Sequence, residues 1–123
     1  MRYLLIVALG LVCSIAATAA PLVTPEARVN STVESLGAAV PQGWQFVVMN
    51  EAAWRMNPYT HNSHTAYSLL DQHVTYIRET YVQSAQDDKL RSTIAHEMGH
   101  ELCGCTDEAT ANHYQAVILK NNP

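Results

Sequence analysis

The stretch IAHEMGHELC, residues 94–103, constrains the fold more than any other part of the sequence. It belongs to a segment whose apolar residues recur every four positions, which predicts a helix buried along one side: Leu90, Ile94, Met98 and Leu102. At about 100° per residue, His96 and His100 lie on a different side of this helix from most of the stripe. We therefore expect a helix, beginning near Ser84 or Asp87 and ending near Leu102, that lines a cleft with its histidines.

His96, Glu97 and His100 form the pattern H-E-x-x-H. Two histidines four residues apart project from adjacent turns of one helix face, so both imidazoles can reach one zinc ion. Glu97 lies to the side, where it can act on a water at the metal as a general base. A catalytic zinc site with an open position needs a third protein ligand, which must come from downstream.

The segment after the motif supplies two carboxylates but no histidine at the required position. Cys103 and Thr106 occupy the Gly and final His positions of the longer pattern H-E-x-x-H-x-x-G-x-x-H, which argues against a metzincin. The remaining candidates for the third ligand are Asp107 and Glu108.

HEMGH followed by EATANHY resembles the minimal gluzincin peptidases, especially the ImmA/IrrE type, whose E-x-x-A-N-x-[FY] helix supplies the third ligand. Glu108 falls on the ligand position, Ala111 and Asn112 on the A-N pair, and Tyr114 on the aromatic position. The resemblance covers roughly the last 35 residues and departs from the family in the short spacing and the CGC between the two motifs. It implies a zinc peptidase with His96, His100 and Glu108 as ligands and Glu97 as base. The alternative ligand is Asp107, in an arrangement similar to aspzincins.

Cys103 and Cys105 are separated by one residue. We predict a local disulfide that fixes the turn into Glu108, with Gly104 easing the backbone. The alternatives are pairing between chains, Cys103 as a soft metal ligand, and a purely structural zinc site that uses these thiols.

Other polar residues are weaker candidates for the site. His61 and His64 could bind a second ion, although a solvated loop explains them more simply. Four side chains could each hydrogen-bond an oxyanion or serve only in packing: Tyr59, Tyr76, His113 and Tyr114. Because the strand before the motif helix often pairs with extended substrate in zincin-like folds, residues 75–77 could do so here, unless that strand is interior.

The rest of the chain predicts short elements of both types. We expect a helix over residues 25–39, a strand over 44–50, a loop over 51–65, strands over 66–70 and 73–79 joined at Asp71 and Gln72, and a final helix over 108–120.

Residues 1–19 have the layout of a secretory signal peptide, with Arg2, an apolar core over residues 4–15, and small residues before the predicted cut at Ala20. A single domain over residues 20–123 would remain, in the secreted or periplasmic space. The net charge of −4 gives no nucleic-acid footprint, and no later segment is apolar enough for a membrane span.

The sequence thus predicts an α+β fold with a small, mostly antiparallel sheet packed against the H-E-x-x-H helix and flanking helices, as in zincins. The predicted function is exported, zinc-dependent hydrolysis of a peptide or protein substrate. One alternative is a zincin-like zinc-binding domain that recognises a partner without cutting it. Another is a metal-free module whose histidines serve packing. The oligomeric state is left open.

Overall fold

The computed structural model describes residues 22–37, 40–63 and 65–123. The predicted signal peptide, residues 1–19, lies outside these ranges, as does His64. Within the described ranges, no helix has the length and apolar content needed to cross a bilayer.

Five helices and three strands form the described part of the chain. In chain order they are α1 Pro25–Ser35, β1 Gln45–Met49, α2 Glu51–Met56, β2 Ala66–Leu69, β3 Val74–Arg78, α3 Glu79–Ser84, α4 Asp87–Cys103 and α5 Glu108–Asn121. The predicted α+β class is confirmed.

The sheet is mixed, with strand order β1-β3-β2. β2 and β3 are antiparallel, as expected for consecutive strands joined by a short turn, whereas β1 pairs with β3 in parallel. The prediction of a mostly antiparallel sheet is therefore corrected at one of the two pairings. The parallel pairing is possible because the long connection between β1 and β3, which contains α2 and β2, returns the chain to the same end of the sheet.

The central position of β3 decides between the two alternatives for residues 75–77. These residues could have paired with substrate at a sheet edge or formed an interior strand, and the strand is interior, since it is paired on both sides. The edge strand that faces the motif helix is β2, which α4 contacts directly.

Two short helices were not predicted. Residues 51–65 were expected to form a loop, yet α2 forms because the Asn50 side chain accepts a hydrogen bond from the Ala53 N–H at 2.9 Å, and Trp54 is buried. The strand predicted over residues 73–79 ends at Arg78, where α3 begins. Helix α1 ends at Ser35, before the predicted end at residue 39, and Gly37 beyond it has a positive φ of 59°.

The core lies between α4, α1 and the sheet. Leu90, Ile94 and Met98 of the predicted stripe are fully buried, and they pack in one cluster with Ile77 and Val82. Leu102, which was predicted to continue the stripe, is instead 37% exposed.

Helices α4 and α5 pack closely at Gly99. A methyl group at Gly99 would lie 2.5 Å from the carbonyl oxygen of Ala111, a distance that real contacts do not reach. The absence of a side chain at Gly99 therefore sets how near α5 approaches the motif helix.

We predict that Gly99→Ala lowers the free energy of unfolding by about 1–3 kcal/mol, because the added methyl forces the two helices apart. Urea denaturation of the metal-free protein measures this change. Lys89→Ala, at an exposed position of the same helix, is the control and should stay within about 0.5 kcal/mol of wild type. An unchanged midpoint for Gly99→Ala would show that the helices separate at no cost.

Candidate metal centre

His96, His100 and Glu108 form a candidate metal-binding group. Each offers one ligand atom, and these atoms lie within 4.8 Å of one another. Glu108 Oε2 lies 2.9 Å from His96 Nε2, and Glu108 Oε1 lies 3.4 Å from His100 Nε2. The two imidazoles meet edge to face, with ring centroids 4.8 Å apart and an interplanar angle of 89°. Both Nε2 atoms are thus directed at one carboxylate.

The local backbone explains why the three side chains meet. His96 and His100 stand one turn apart on α4, and Glu108 is the first residue of α5. Gly104 ends α4 in the left-handed conformation, with φ 61°, so that the chain reverses within the four residues 104–107. The close packing at Gly99 then holds the first turn of α5 beside the histidines.

Asp107 has a different structural role from Glu108. Its Oδ2 accepts hydrogen bonds from the Thr110 N–H at 2.8 Å and the Thr110 hydroxyl at 2.5 Å, which makes Asp107 the N-cap of α5. These hydrogen bonds, and the nearby His100, hold the pKa of Asp107 below its ordinary value. The carboxylate turned toward the histidines is that of Glu108.

The ring of His100 is oriented by its other nitrogen. Nδ1 lies 2.9 Å from the carbonyl oxygen of Cys105, so the Nδ1–H donates to that oxygen and the lone pair of Nε2 faces Glu108. Metal-binding histidines in proteins are held in this way by an acceptor behind the ring.

The donor set fits zinc. Two imidazole nitrogens and one carboxylate oxygen are ligands that zinc accepts, and bonds of about 2.0–2.1 Å place neighbouring ligand atoms roughly 3.3 Å apart. Each histidine lies near that spacing from one oxygen of Glu108, at 2.9 Å from Oε2 and 3.4 Å from Oε1. With one ligand atom from each residue, the separations reach up to 4.8 Å, so the side chains would draw closer around a bound ion. The Glu108 side chain is 71% exposed, so one side of the group remains open to solvent.

Glu97 is buried beside this group, with 8% of its surface exposed. Burial raises the pKa of Glu97, an effect that the hydrogen bond from Ser68 and the nearby histidines oppose. The Ser68 hydroxyl donates to Glu97 Oε2 at 2.6 Å. The hydrogen bond from Ser68 therefore ties Oε2 of Glu97 to β2 and leaves Oε1 outside that hydrogen bond.

A chain of short contacts continues from Glu97 into the sheet. Ser68 Oγ lies 2.8 Å from Thr75 Oγ1, which in turn lies 2.7 Å from Glu101 Oε1. The Trp44 indole N–H donates to the same Thr75 oxygen at 3.0 Å. We call this set, Trp44, Ser68, Thr75, Glu97 and Glu101, the buried carboxyl network.

A count of protons shows that one carboxyl of the network is neutral, and the pKa of Glu101 shows which one. Three oxygen–oxygen contacts join Glu97, Ser68, Thr75 and Glu101, but the two hydroxyls supply only two protons. The third proton must belong to a carboxyl group. Burial raises the pKa of Glu101 to about 8, so at neutral pH Glu101 carries this proton and donates it to Thr75. Among the described residues, the other oxygen of Glu101, Oε2, is buried without a hydrogen-bond partner, which costs less for a neutral acid than for a carboxylate.

Cys103 and Cys105 form the predicted local disulfide, with their Cα atoms 5.2 Å apart. This pairing excludes both the interchain bond and Cys103 as a metal ligand in the oxidised protein. It also removes the thiols that a structural zinc site would require.

A cleft of about 380 Å³ adjoins the candidate metal centre. Its lining includes Glu97, His100 and Glu108 together with Tyr59 and Tyr67, whose ring centroids are 6.4 Å apart.

Of the four predicted oxyanion partners, Tyr59 lines this cleft. Tyr76 lies in the central strand, and His113 and Tyr114 contact each other on α5. His61 Nδ1 lies 3.2 Å from the Asn57 carbonyl oxygen, so this nitrogen is engaged within its own turn.

Sequence reasoning missed Ser68, Thr75 and Glu101 as parts of the site. The only signal was the spacing of Glu101, which is four residues after Glu97 and so shares its helix face. The hydroxyl residues gave no signal, because their role depends on the register of β2 against β3.

Comparison of the chain with known protein families, with curated proteins and with solved structures finds no match.

We predict that Glu108→Gln weakens zinc binding by more than about 100-fold, because it removes an anionic ligand rather than one of the groups behind the ligands. Competition with a chromophoric chelator measures the affinity. Asp107→Asn, which removes the same charge one residue earlier, is the matched control and should change the affinity by only a few-fold. The opposite order would transfer the ligand role to Asp107.

We expect wild type to lose stability as the pH rises from about 5 to about 8, and we predict that Glu101→Gln loses less. The folded protein holds a proton on Glu101 up to a pKa of about 8, whereas the unfolded chain releases it near the ordinary value of 4.5. The stability contributed by this group is therefore complete below pH 4.5 and falls as the pH rises toward 8. Gln donates to Thr75 at every pH and avoids this loss.

Thermal unfolding in the presence of a chelator tests this at the two pH values. The melting temperature of Glu101→Gln relative to wild type should be higher at pH 8 than at pH 5 by several degrees, since about 1 kcal/mol corresponds to roughly 4–8 °C in a domain of this size. Glu34→Gln, at an exposed position of α1, should show no such difference. If the difference in melting temperature between Glu101→Gln and wild type is the same at pH 5 and pH 8, Glu101 is ionised in the folded protein.

Proposed function

We propose that this protein is an exported zinc-dependent peptidase, with His96, His100 and Glu108 as zinc ligands and Glu97 as general base. The observation that carries the proposal is the convergence of two imidazoles and one carboxylate at a cleft that Glu97 also lines. A buried acid that adjoins a metal-binding group and opens on a cleft is the arrangement that metal-assisted hydrolysis needs.

The proposed chemistry assigns proton transfer to Glu97. A zinc ion bound at the centre supplies a Lewis acid that lowers the pKa of water and polarises the scissile carbonyl. Glu97 accepts a proton from the attacking water and returns it to the leaving nitrogen, so its charge is the same before and after the reaction. Its burial raises its pKa, which brings its basicity closer to that of an effective base at neutral pH.

Ser68 on β2 and Glu101 on α4 support this role. With Glu101 protonated, the hydroxyls of Thr75 and Ser68 both point toward Glu97, and Ser68 donates to Oε2. Glu97 then remains the anionic member of the buried carboxyl network, and Oε1 is the oxygen that receives the proton from water.

The edge of β2 offers a place for an extended substrate. The Arg78 N–H donates to the Thr65 carbonyl at 2.9 Å, so these opposed residues form a hydrogen-bonded pair. Such pairs alternate along an antiparallel ladder, which turns the backbone N–H and C=O of Ser68 away from β3 and toward the cleft side. A peptide strand added there would run past Glu97, in place of the pairing predicted for β3.

Tyr59 is the candidate for stabilising the oxyanion, because it is the predicted partner that lines the cleft. Export is supported by the signal-peptide pattern of residues 1–19 and by the disulfide, since such bonds persist in oxidising compartments.

The test combines metal analysis with a peptide digest. The wild-type protein should hold about one zinc per chain and cleave members of an unbiased peptide library, as read by mass spectrometry. Glu97→Gln should keep the zinc and lose roughly 10²- to 10⁴-fold in kcat, because it removes the base without removing a ligand. Glu34→Gln, at an exposed position of α1 outside the cleft lining, controls for the loss of one negative charge.

The alternative function is a zinc-binding domain that recognises a peptide or protein without cutting it. Zinc at one equivalent with no cleavage by the wild type would replace the peptidase proposal with this one. A folded protein that binds no zinc would remove both.

A further inference from the structure

The Cys103–Cys105 disulfide lies inside the connection that joins the two ligand-bearing helices. Cys103 is the last residue of α4, and Cys105 is the second of the four residues before α5. Both cysteines are half-buried, so a reductant can approach them. The bond encloses a single residue, and a ring this small restricts the unfolded chain little. Its effect is therefore concentrated on the local backbone.

Cys105 makes two hydrogen bonds with the candidate ligand His100. Its N–H donates to the His100 carbonyl at 3.3 Å, and its own carbonyl accepts from the His100 ring Nδ1–H at 2.9 Å. The first bond closes the end of α4, and the second sets the ring so that Nε2 faces Glu108. The position of the Cys105 carbonyl therefore decides how His100 presents its ligand atom.

The disulfide restrains that carbonyl. Gly104, between the two cysteines, has a φ of 61° and meets no neighbouring atoms where a side chain would stand. The Gly104 N–H donates to the His100 carbonyl, which holds the residue on its α4 side. On its other side, the covalent link from Cys103 to Cys105 limits how far the peptide after Gly104 can rotate. The same link sits three residues before Glu108, the third candidate ligand.

We propose that the Cys103–Cys105 disulfide is a redox control on the metal centre, in which the oxidised form holds the Cys105 carbonyl against His100 and the reduced form binds zinc more weakly. This inference rests on the metal site of the proposed function. A dithiol reductant supplies two electrons and two protons: the Cys103–Cys105 bond breaks, two thiols form, and the reductant becomes a disulfide. Loss of an acceptor behind a metal-binding histidine typically weakens metal binding by about 10- to 100-fold.

The experiment compares oxidised wild type with Cys103→Ser/Cys105→Ser, neither in the presence of a reductant. The double variant keeps the backbone carbonyl of residue 105 and removes only the link, so it isolates the restraint. Zinc affinity, by competition with a chromophoric chelator, should fall about 10- to 100-fold with an unchanged circular dichroism spectrum. An affinity within two-fold of wild type would overturn the proposal.

A second measurement does not depend on zinc. In metal-free protein, nitrogen-15 NMR should show a hydrogen-bonded Nδ1–H on His100 in oxidised wild type. Its signal should broaden or exchange faster after treatment with a phosphine reductant. An identical His100 signal in both states would overturn the redox control even if the double variant fails to fold.

The two proposals fail in different ways. If oxidised wild type binds no zinc, the metal site of the proposed function is absent, whatever the NMR signal shows. If oxidised wild type binds zinc and the reduced protein binds it equally well, only the redox control is removed.

Discussion

The close contact of α4 with α5 at Gly99 is the constraint on which the candidate centre depends. Two of the three candidate ligands stand on α4 and the third opens α5, so their distances follow from the separation of the helices. A side chain at Gly99 would collide with the Ala111 carbonyl, and the backbones approach as closely as they do because none is present. The reversal between the helices needs only four residues, since Gly104 ends one helix and Asp107 caps the next. The site is thus a consequence of helix packing and not of a flexible loop.

The electrostatics of the interior follow from placing two glutamates on the buried side of one helix. Glu97 and Glu101 are one turn apart, and two neighbouring buried carboxylates would repel each other and lack hydration. At neutral pH one of them is neutral, because burial raises the pKa of Glu101 to about 8. Among the described residues, Glu101 has only Thr75 as a hydrogen-bond partner, whereas Glu97 lies near the histidines and accepts from Ser68. Of the two carboxyl groups, Glu97 therefore has the surroundings that favour the ionised form, namely the neighbouring histidines and the Ser68 hydroxyl that the sheet supplies.

Much of the candidate site could be predicted from the sequence because its spacing is local. His96, Glu97 and His100 lie within two helical turns, and Glu108 opens the next helix, so the helical period and two short motifs were sufficient to bring them together. The order of the strands, in contrast, depends on contacts between residues that are distant in the sequence. Strand β3 is central because β1 pairs with it in parallel, although a helix and a strand separate the two in the sequence. The residue pattern within a strand does not indicate which strand it will pair with. The contacts of Ser68 with Glu97 were missed for the same reason. Helix α2, in contrast, could have been predicted from Asn50, a residue that commonly caps helices. The polar residues that follow the helix favoured a loop instead.

Ser68 connects the two halves of the proposed mechanism. Its side chain holds the base through Glu97 Oε2, while the register of β2 on β3 turns its backbone N–H and C=O away from β3, toward the free edge of the sheet. Under the proposed function, a peptide that pairs with β2 therefore bonds to the same residue that orients Glu97. Docking a substrate strand would restrain Ser68 in the position in which its hydroxyl donates to the base. Binding and base orientation would then stabilise each other, because both require the same placement of one residue on an otherwise short edge strand.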